Sequence, residues 1–335
     1  MDTNRVSEIL SVAEAAAFAA GAWTGKGQKN LADEAATEAM RNRLNALDIS
    51  GRIVIGEGER DEAPMLFIGE ELGRGGEEID IAVDPLEGTN LCASAQPNAL
   101  AVIAFAPRGA LLYAPDTYME KIAAGPAAAS AIHIDATPAE NIARVAEALG
   151  KPVDEVVVCV LDREKHYGLM AAIREAGARI RLITDGDVFG CVASAITGTG
   201  IDMYMGAGGA PEGVLAATAM KCIGGGFMGR FAFRNDEERV RAEKTSGVDI
   251  DGVLTMDDLV RSDEAVFIAA GVTDGEMLKG VRGLVIVDSA TGQLVNPDPQ
   301  KSARVSSIIM NCKDKTVRFN ETVYRPESGG LLSLS

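Results

Sequence analysis

Apolar positions recur with helical spacing at the start of the chain and with strand-like alternation further along. Two opening stretches, Val6–Trp23 and Leu31–Leu47, have the periodicity of helices and are joined by the polar loop GKGQKN. Short apolar runs that end at glycine- or proline-containing turns follow. These runs predict strands at Arg52–Ile55, Glu78–Asp84, Leu100–Phe105 and Ala110–Tyr113.

From about Pro138 onward, predicted helices and strands alternate. The helices are Ala139–Leu149, Lys165–Ala176, Val188–Thr197 and Glu212–Cys222, and the strands are Glu155–Leu161, Arg179–Thr184 and Ile201–Met205. Alternation at this spacing is typical of a largely parallel sheet covered by helices. Further strands are predicted at Ala265–Ala270, Leu284–Asp288, Ser306–Met310 and Thr316–Tyr324.

The change of rhythm predicts an α/β protein with two subdomains. We expect residues 1–137 to form a subdomain of N-terminal helices and a strand-rich layer, and residues 138–335 to form an alternating α/β subdomain. The polar segment 235–263 is expected to be an insertion or a mobile cover.

Composition narrows the classes of function. The 335 residues include 32 Lys and Arg against 49 Asp and Glu, a net charge of −17. Such an acidic chain without a basic stripe is not expected to bind nucleic acid or an anionic membrane. The alanine-rich segment Ile9–Trp23 is interrupted by Glu14, so we interpret it as a helix and not as a signal peptide.

Five scattered cysteines have no CxxC spacing, and most have apolar neighbours. We therefore expect buried free thiols in a cytoplasmic protein. No apolar run approaches the roughly 20 residues that a membrane span requires.

Acidic side chains recur where predicted strands end or helices begin. They are Asp33, the pair Glu57 and Glu59, the pair Asp84 and Glu87, and Glu212. Carboxylates that converge from separate segments repel one another unless cations hold them. Because the ligands would be oxygen atoms, and only His133 and His166 are present, Mg²⁺ or Mn²⁺ is favoured over zinc.

The segment DPLEGTN is the most informative of these acidic turns. Asp84 and Glu87 follow an apolar strand, Pro85 fixes the backbone between them, and Gly88 permits a sharp turn. The hydroxyl of Thr89 lies next in sequence. Two cations and an oriented water at such a turn would suit metal-assisted hydrolysis of a phosphoester.

DPLEGTN resembles the signature of the lithium-sensitive, metal-dependent sugar and inositol phosphatases. The motifs GKGQKNLAD, GRIVIGEGERDEAPML, APDTYMEKIA, LITDGDV and GAGGAPEGVLAA resemble one branch more closely, the class II fructose-1,6-bisphosphatases. Cyanobacterial members of that branch also hydrolyse sedoheptulose 1,7-bisphosphate. The resemblance covers essentially the whole chain. It implies a layered sugar-phosphatase fold, in which helices sandwich mixed sheets, and a homo-oligomer, a dimer or a tetramer.

The resemblance also implies roles for individual residues. Asp33 and Glu57 would hold one divalent cation, and Asp84, Glu87 and Glu212 the second. Thr89, Asp33 and Lys29 would take part in catalysis. The sugar bisphosphate would be bound by Glu87, Gly88, Thr89, Tyr118, Arg163, Glu164, Lys165, Asp185, Gly186, Asp187 and Gly209. Lys165 stands where some relatives have arginine, which keeps the charge but not the planar bidentate fork.

The implied reaction is removal of the 1-phosphate of fructose 1,6-bisphosphate, a step of gluconeogenesis. Alternatives are a sedoheptulose-1,7-bisphosphatase or dual-specificity enzyme, an inositol monophosphatase, and a regulatory sugar-phosphate-binding protein without turnover. The basic residues Arg163 and Lys165 favour a bisphosphate, although a basic helix start is also typical of a solvated surface. A nucleotide-dependent kinase is disfavoured because the phosphate-binding loop GxxxxGK[ST] is absent from the sequence.

Overall fold

The computed structural model describes residues 3–58, 64–288, 291–298 and 300–325. The α-helices there are α1 Thr3–Gly21, α2 Lys29–Asn45, α3 Thr89–Ala93, α4 Pro138–Leu149, α5 Tyr167–Glu175, α6 Asp187–Ala193, α7 Ala210–Ile223, α8 Asp236–Thr245 and α9 Met256–Leu259. The strands there are β1 Ile49–Ile55, β2 Glu71–Leu72, β3 Glu77–Glu87, β4 Leu100–Pro107, β5 Tyr118–Ala124, β6 Val157–Leu161, β7 Arg179–Ile183, β8 Met203–Gly209, β9 Gly226–Ala232, β10 Leu254–Thr255, β11 Val266–Gly271, β12 Ile286–Val287, β13 Leu294–Val295, β14 Ala303–Asn311 and β15 Thr316–Tyr324.

These elements form two compact units. The described residues of 1–109, 266–310 and 317–335 make up the first unit, and those of 110–265 and 311–316 make up the second. This division differs from the single boundary near residue 137 that the sequence predicts. The reason is that β11, β14 and β15 join the sheet begun by the first third of the chain, and such long-range pairing leaves no local signal.

The first unit contains a sheet with the strand order β15-β14-β11-β4-β3-β1-β2. Strand β3 runs parallel to β1 and antiparallel to β4. Helices α1 and α2 pack against each other and against this sheet. Ala13, Ala16 and Ala20 of α1 are fully buried, and their small side chains allow this close packing. Alanine also has the highest helix propensity. The structure confirms the helix predicted here.

The second unit contains a sheet with the order β10-β9-β5-β8-β6-β7. Strands β8, β6 and β7 are mutually parallel, whereas β5 pairs antiparallel with β8 and β9, and β9 with β10. The sheet is therefore mixed and not largely parallel. Apolar residues of α4 and α5 share one core with Ile122 and Ala124 of β5. Helices α6 and α7 also contact β5, and Gly213 of α7 lies against Met119, whose position in the strand is on the opposite face.

The α/β layered fold with mixed sheets is confirmed, and several local predictions are corrected. Residues 110–113 form only one isolated bridge, Leu111 with Val260, and no strand. Strands β5 and β9 were not predicted, because glutamate, lysine, alanine and glycine interrupt the β-branched pattern there. The polar segment 235–263 contributes α8, β10 and α9, and β10 pairs with β9. No described helix has the length and apolarity needed to cross a membrane.

The expectation of five free thiols is wrong for two cysteines. Cys222 and Cys312 form a disulfide, although 90 positions separate them in sequence. Cys92, Cys159 and Cys191 are buried thiols, as expected. Cys222 is in the last turn of α7, and Cys312 directly follows β14. Sequence spacing does not reveal that these two chain positions meet.

A buried carboxyl group joins α1 to β15 in the first unit. Glu14 is 1% exposed, and it accepts hydrogen bonds from the hydroxyls of Thr322, at 2.6 Å, and Tyr324. Burial raises the pKa of Glu14 to about 7, despite these two donors. Phe18 packs edge-to-face on the Tyr324 ring, with 5.5 Å between the ring centroids. The carboxyl group is therefore held in an apolar core that favours its protonated form.

We expect Glu14→Gln to remove a pH-dependent part of the stability. The raised pKa means that the folded state keeps a proton which the unfolded state releases near pH 4.5, the ordinary value for glutamate. This stabilisation is complete below about pH 4.5 and is lost as the pH rises to about 7, a change of about 2–4 kcal/mol. Denaturant unfolding between pH 4.5 and 8 should show that the free energy of unfolding falls less with rising pH in the variant than in wild type. Glu8→Gln, on the exposed side of α1, is the control. Identical slopes for wild type and Glu14→Gln would contradict the prediction.

Candidate active site

The strand ends of the first unit bring Glu57 and the acidic residues of DPLEGTN to one edge of the sheet. Strands β1 and β3 are parallel neighbours, so their carboxyl ends share that edge. Glu57 follows the end of β1 by two residues, and Asp84 and Glu87 lie within the last four residues of β3. Glu59, the partner predicted for Glu57, lies outside the described residues.

A β-bulge places Asp84 and Glu87 on the same face of the sheet. Asp84 pairs with Val102 of β4 and Glu87 pairs with Leu100, so two residues of β3 lie between these pairs and oppose one of β4. Val102 and Leu100 are two residues apart in β4, so their side chains share a face of the sheet. Directly paired residues point to the same face, so the carboxylates of Asp84 and Glu87 lie on that face as well. Alternation without the bulge would have put them on opposite sides.

The turn after the bulge is built on Gly88. Its φ of 88° is in the left-handed region, and a Cβ there would lie 2.9 Å from a side-chain carbon of Leu91. Thr89 is the first residue of α3 and is half-buried. The Asp84 carboxylate accepts a hydrogen bond from the amide of Leu86 at 3.1 Å, which holds the start of the same turn.

Helix α2 contributes Lys29 and Asp33 beside α3. The preceding loop is tied to α3, because the amides of Gly25 and Gly27 donate to the carbonyls of Cys92 and Ala93, each at 2.9 Å. Lys29 is the exposed first residue of α2. Burial, reinforced by the neighbouring charge of Glu34, raises the pKa of Asp33 to about 6. The helix thus presents a carboxyl group that is partly removed from water.

Within the described ranges, no three Asp, Glu, His or Cys side chains form a cluster close enough to hold a metal ion. In the first unit, the predicted residues lie at or near strand ends and helix starts, but the described acidic side chains are not close enough together to hold a metal ion. These residues are Asp33, Glu57, Asp84, Glu87 and Thr89.

In the second unit, the predicted sugar-binding residues follow three parallel strands. Arg163, Glu164 and Lys165 follow β6; Asp185, Gly186 and Asp187 follow β7; and Gly209 ends β8. Because β8, β6 and β7 are parallel, these segments lie along one edge of the sheet. Tyr118 begins the antiparallel strand β5 and pairs directly with Gly209, so it belongs to the same edge. The structure thus brings the predicted residues of this unit together.

A buried ion pair lies beneath that edge. Lys121 of β5 is 3% exposed, and its ammonium nitrogen is 2.5 Å from the Asp187 carboxylate at the start of α6. Burial acts against the charge of Lys121, but the carboxylates of Asp187 and Glu212 outweigh it and raise the lysine's pKa. Burial and the charge of Asp187 raise the pKa of Glu212, and Lys121 opposes this. One cation therefore offsets two acidic groups in a site of low polarity.

One carboxylate oxygen in this cluster has no hydrogen-bond partner among the residues that the structure describes. It is Oε2 of Glu212, in the first turn of α7, and it is inaccessible to water. Gly209 makes room for it, because a Cβ there would lie 1.9 Å from that oxygen. A buried, unpaired carboxylate oxygen is costly unless a cation or a donor binds it. Oxygen donors suit Mg²⁺ and Mn²⁺, so Glu212 fits the role of a divalent-cation ligand.

The other face of this sheet borders a cavity of about 450 Å³ lined by Tyr118, Ile122, Asn141, Lys165 and His166, among others. The ammonium of Lys165 lies 3.6 Å from the centre of the Tyr118 ring, and the Arg234 guanidinium lies 5.3 Å from it. Partial burial, together with the charges of Lys121 and Arg163, lowers the pKa of Lys165. The cavity therefore combines an aromatic wall with a positively charged rim.

Sequence reasoning missed Lys121 and His166 as residues of this region. Each carried a signal that was not used. Lys121 interrupts the apolar positions of a short strand, and a lysine in such a place needs a buried counter-ion. His166 directly follows the basic turn, and the structure buries it to 4% exposure beside Gly206.

Gly209→Ala is expected to displace the Glu212 carboxylate while the second unit stays folded. The backbone at Gly209 has a φ of −67°, which alanine adopts freely, and the atom it would meet is the end of a flexible side chain. The free energy of unfolding should therefore change by no more than about 1 kcal/mol. Calorimetric Mn²⁺ affinity should fall by about 10-fold or more, the usual effect of disturbing a ligand's support.

Gly168→Ala is the matched control, because no described atom beyond its chain neighbours and its own helix backbone lies within 4 Å of the added Cβ. A Gly209→Ala variant with the Mn²⁺ affinity of wild type would argue against Glu212 as a ligand.

Comparison with known proteins supplies the family. Residues 3–324 match the family model described as bacterial fructose-1,6-bisphosphatase, glpX-encoded. The chain is similar to proteins named D-fructose 1,6-bisphosphatase class 2/sedoheptulose 1,7-bisphosphatase. The relative from Thermosynechococcus vestitus is 43% identical over 343 residues, covering 95% of this chain and 94% of the relative. The relative from Prochlorococcus marinus (strain NATL1A) is 42% identical over 348 residues, covering 100% of both chains.

A relative from a Synechococcus species is 42% identical over 349 residues, covering 97% of this chain and 96% of its own. Both kinds of comparison thus extend over nearly all of the chain, in agreement with the resemblance carried by the motifs. The chain belongs to the glpX-encoded family of bacterial fructose-1,6-bisphosphatases.

Proposed function

We propose that this protein hydrolyses the 1-phosphate of fructose 1,6-bisphosphate to give fructose 6-phosphate and phosphate. Family membership supports this activity, and so do the relatives, whose names include both fructose and sedoheptulose bisphosphatase. The observation that carries the proposal is the edge of the second unit's sheet. There, the cations Arg163 and Lys165 and the unpaired carboxylate oxygen of Glu212 follow strands that end together.

Two divalent cations, Mn²⁺ or Mg²⁺, are proposed as cofactors. Asp33 and Glu57 would hold one, and Asp84 and Glu87 the other; the part of Glu212 in the second site stays a prediction. When bound, such ions supply a Lewis acid and lower the pKa of a water molecule. The bulge at Asp84 and Glu87 supports this assignment, because it turns both carboxylates to one side of the sheet. The orphaned oxygen of Glu212 supports it independently.

The other side chains would bind and orient the substrate. Arg163 and Lys165 would hold the phosphate that is not cleaved, with Tyr118 forming a wall against the sugar. Lys165 already lies over the Tyr118 ring, which limits the positions that its ammonium group reaches. The backbone of Gly186, with a φ of 85° at the start of α6, and that of Gly209 would allow close approach to the sugar.

Thr89 is proposed to orient the attacking water. Its hydroxyl would donate to a neighbouring carboxylate, with Asp33 or Glu57 the candidates, and accept from the water. Lys29, at the start of α2, would stabilise the negative charge of the reacting phosphate. This division of roles predicts that Thr89 affects turnover and that Arg163 and Lys165 affect substrate affinity.

A dual fructose and sedoheptulose bisphosphatase is the second candidate, since the relatives carry both names. A phosphate-release screen with fructose 1,6-bisphosphate, sedoheptulose 1,7-bisphosphate and inositol monophosphate distinguishes the candidates. Absence of release from every substrate, in protein that binds them, would favour the regulatory alternative. A cytoplasmic homo-oligomer stays a prediction, and light scattering on the purified protein tests the assembly.

Chelation is expected to abolish phosphate release from fructose 1,6-bisphosphate, and added Mn²⁺ or Mg²⁺ is expected to restore it. The reason is that the proposed ligands are carboxylates, which repel the anionic substrate unless cations neutralise them. Phosphate release is measured before and after dialysis against chelator, with metal content checked by elemental analysis. Full turnover in protein shown to be metal-free would contradict the two-metal proposal.

Thr89→Ala is expected to lower kcat by about 10²–10⁴-fold, the usual range for a positioned proton-transfer group. Substrate and Mn²⁺ affinity should change far less, since the carboxylates remain. Thr89→Ser keeps the hydroxyl and should retain a substantial fraction of the activity. Measurement of kcat, KM and thermal stability for both variants separates this role from a purely structural one. If alanine and serine behave alike, with kcat close to wild type, Thr89 only fits the turn.

A further inference from the structure

His166 uses both of its ring nitrogens to connect two strands of the second unit. Nδ1 lies 2.7 Å from the carbonyl oxygen of Leu161, and Nε2 lies 2.9 Å from the amide nitrogen of Ala207. A carbonyl can only accept and an amide N–H can only donate, so Nδ1 carries the proton and Nε2 accepts. The ring is therefore a neutral tautomer whose two polar atoms are both satisfied, and it has no free site for acid–base chemistry.

The ring lies where the backbone pairing of β6 with β8 ends. The paired residues are Val158 with Met203 and Cys159 with Tyr204, and Leu161 and Ala207 lie beyond them. The imidazole therefore continues the connection between the two strands after their direct pairing stops. Gly206 makes room for it: its φ of 153° suits glycine, and a Cβ there would lie 3.3 Å from the ring.

The same residue closes the basic turn. The amide of His166 donates to the carbonyl of Arg163 at 2.9 Å, and the amide of Arg163 donates to the carbonyl of Leu161 at 2.9 Å. Leu161 thus accepts from both ends of the turn, once from the backbone of Arg163 and once from the His166 ring. Lys165, the residue before the histidine, extends over the Tyr118 ring.

Arg163 and Lys165 are long, solvent-exposed side chains, so their backbone must be fixed if they are to hold a phosphate in one place. The exposed turn supplies little packing of its own, and its buried member is His166. The buried His166 ring therefore holds the backbone that carries the side chains of Arg163 and Lys165.

We propose that His166 is a positioning residue that fixes the Arg163–Lys165 turn so that it binds the phosphate that is not cleaved. It thereby sets the preference for a sugar bisphosphate over a sugar monophosphate. This inference rests on the proposed function, in which these two cations contact the distal phosphate. His166 itself touches no reacting atom.

The test compares two substrates in wild type and in His166→Ala, with His133→Ala as the control, since His133 is half exposed and lies outside the turn. Fructose 1,6-bisphosphate carries the distal phosphate, and fructose 1-phosphate lacks it. We expect KM for the bisphosphate to rise at least ~10-fold in His166→Ala with little change in kcat, because ground-state and transition-state binding are lost equally. The constants for fructose 1-phosphate should stay within about 3-fold of wild type. An equal loss for both substrates would overturn the proposal.

His166→Gln guards against an unfolded alanine variant. Its side-chain carbonyl can accept from the amide of Ala207, so it should recover part of the bisphosphate preference. A glutamine variant would also overturn the proposal if it folds like wild type but discriminates between the two substrates no better than His166→Ala, or no better than Arg163→Ala/Lys165→Ala where the alanine variant does not fold. ¹⁵N NMR of the native protein provides a readout apart from activity, and should find Nε2 without a proton; a protonated Nε2 would contradict the assigned contacts.

Failure of the proposed function is distinguished by wild type and by Arg163→Ala/Lys165→Ala. Wild type without activity on fructose 1,6-bisphosphate, or a double variant with unchanged KM for it, refutes the assigned role of the cations. An active wild type, a double variant with raised KM and an unaffected His166→Ala refute the histidine's role alone.

Discussion

The ion pair between Lys121 and Asp187 is the interaction on which the candidate site of the second unit depends. Both side chains are almost completely buried, and Glu212 adds a second carboxylate to the same place. In a medium of low dielectric, an isolated charge is costly and two like charges are more so. A single lysine at the centre of the sheet offsets both. If only the lysine were removed, about 3–5 kcal/mol of stability would be lost, as is typical when a buried pair loses one partner.

This constraint explains why the buried carboxylates and the exposed cations of this site lie on opposite faces of the sheet. The sheet of the second unit has the buried lysine and the carboxylates towards α6 and α7, and the aromatic cavity with its cationic rim on the side of Ile122. The alternation of β5 produces the division, because Tyr118 and Ile122 share one face and Lys121 lies on the other. Both faces end at the edge where β6, β7 and β8 finish, so this edge of the sheet presents acidic and basic groups side by side.

Much of the fold was predictable, because helices such as α4 have a strong amphipathic period and strands such as β6 are short apolar runs. Strand β5 was not, since YMEKIAA has weak strand propensity and is held in place by β8 and β9 on its two sides. The discontinuous first unit and the pairing of Cys222 with Cys312 depend on residues far apart in sequence. Neither leaves a local signal.

The candidate site was predictable where a motif supplies the chemistry, as at DPLEGTN, but its geometry was not. Sequence reasoning named Asp84 and Glu87, yet only the register shows the bulge that puts them on one face. It named Arg163 and Lys165, yet it passed over the histidine beside them, because a lone buried histidine usually serves only the core. The role of a residue that only orients its neighbours can be recognised once the contacts of its side chain are known.

The division of the first unit among distant segments also has a consequence for synthesis of the chain. Strand β4, with the apolar sequence LAVIAFAP, is made early, but its neighbour β11 follows only after nearly all of the second unit. Until then the edge of β4 that will face β11 has no strand to pair with. An unpaired apolar edge is the kind of surface that pairs with other chains, so a nascent chain is most prone to aggregation in this interval. The second unit, most of which is one continuous segment, has no comparable wait.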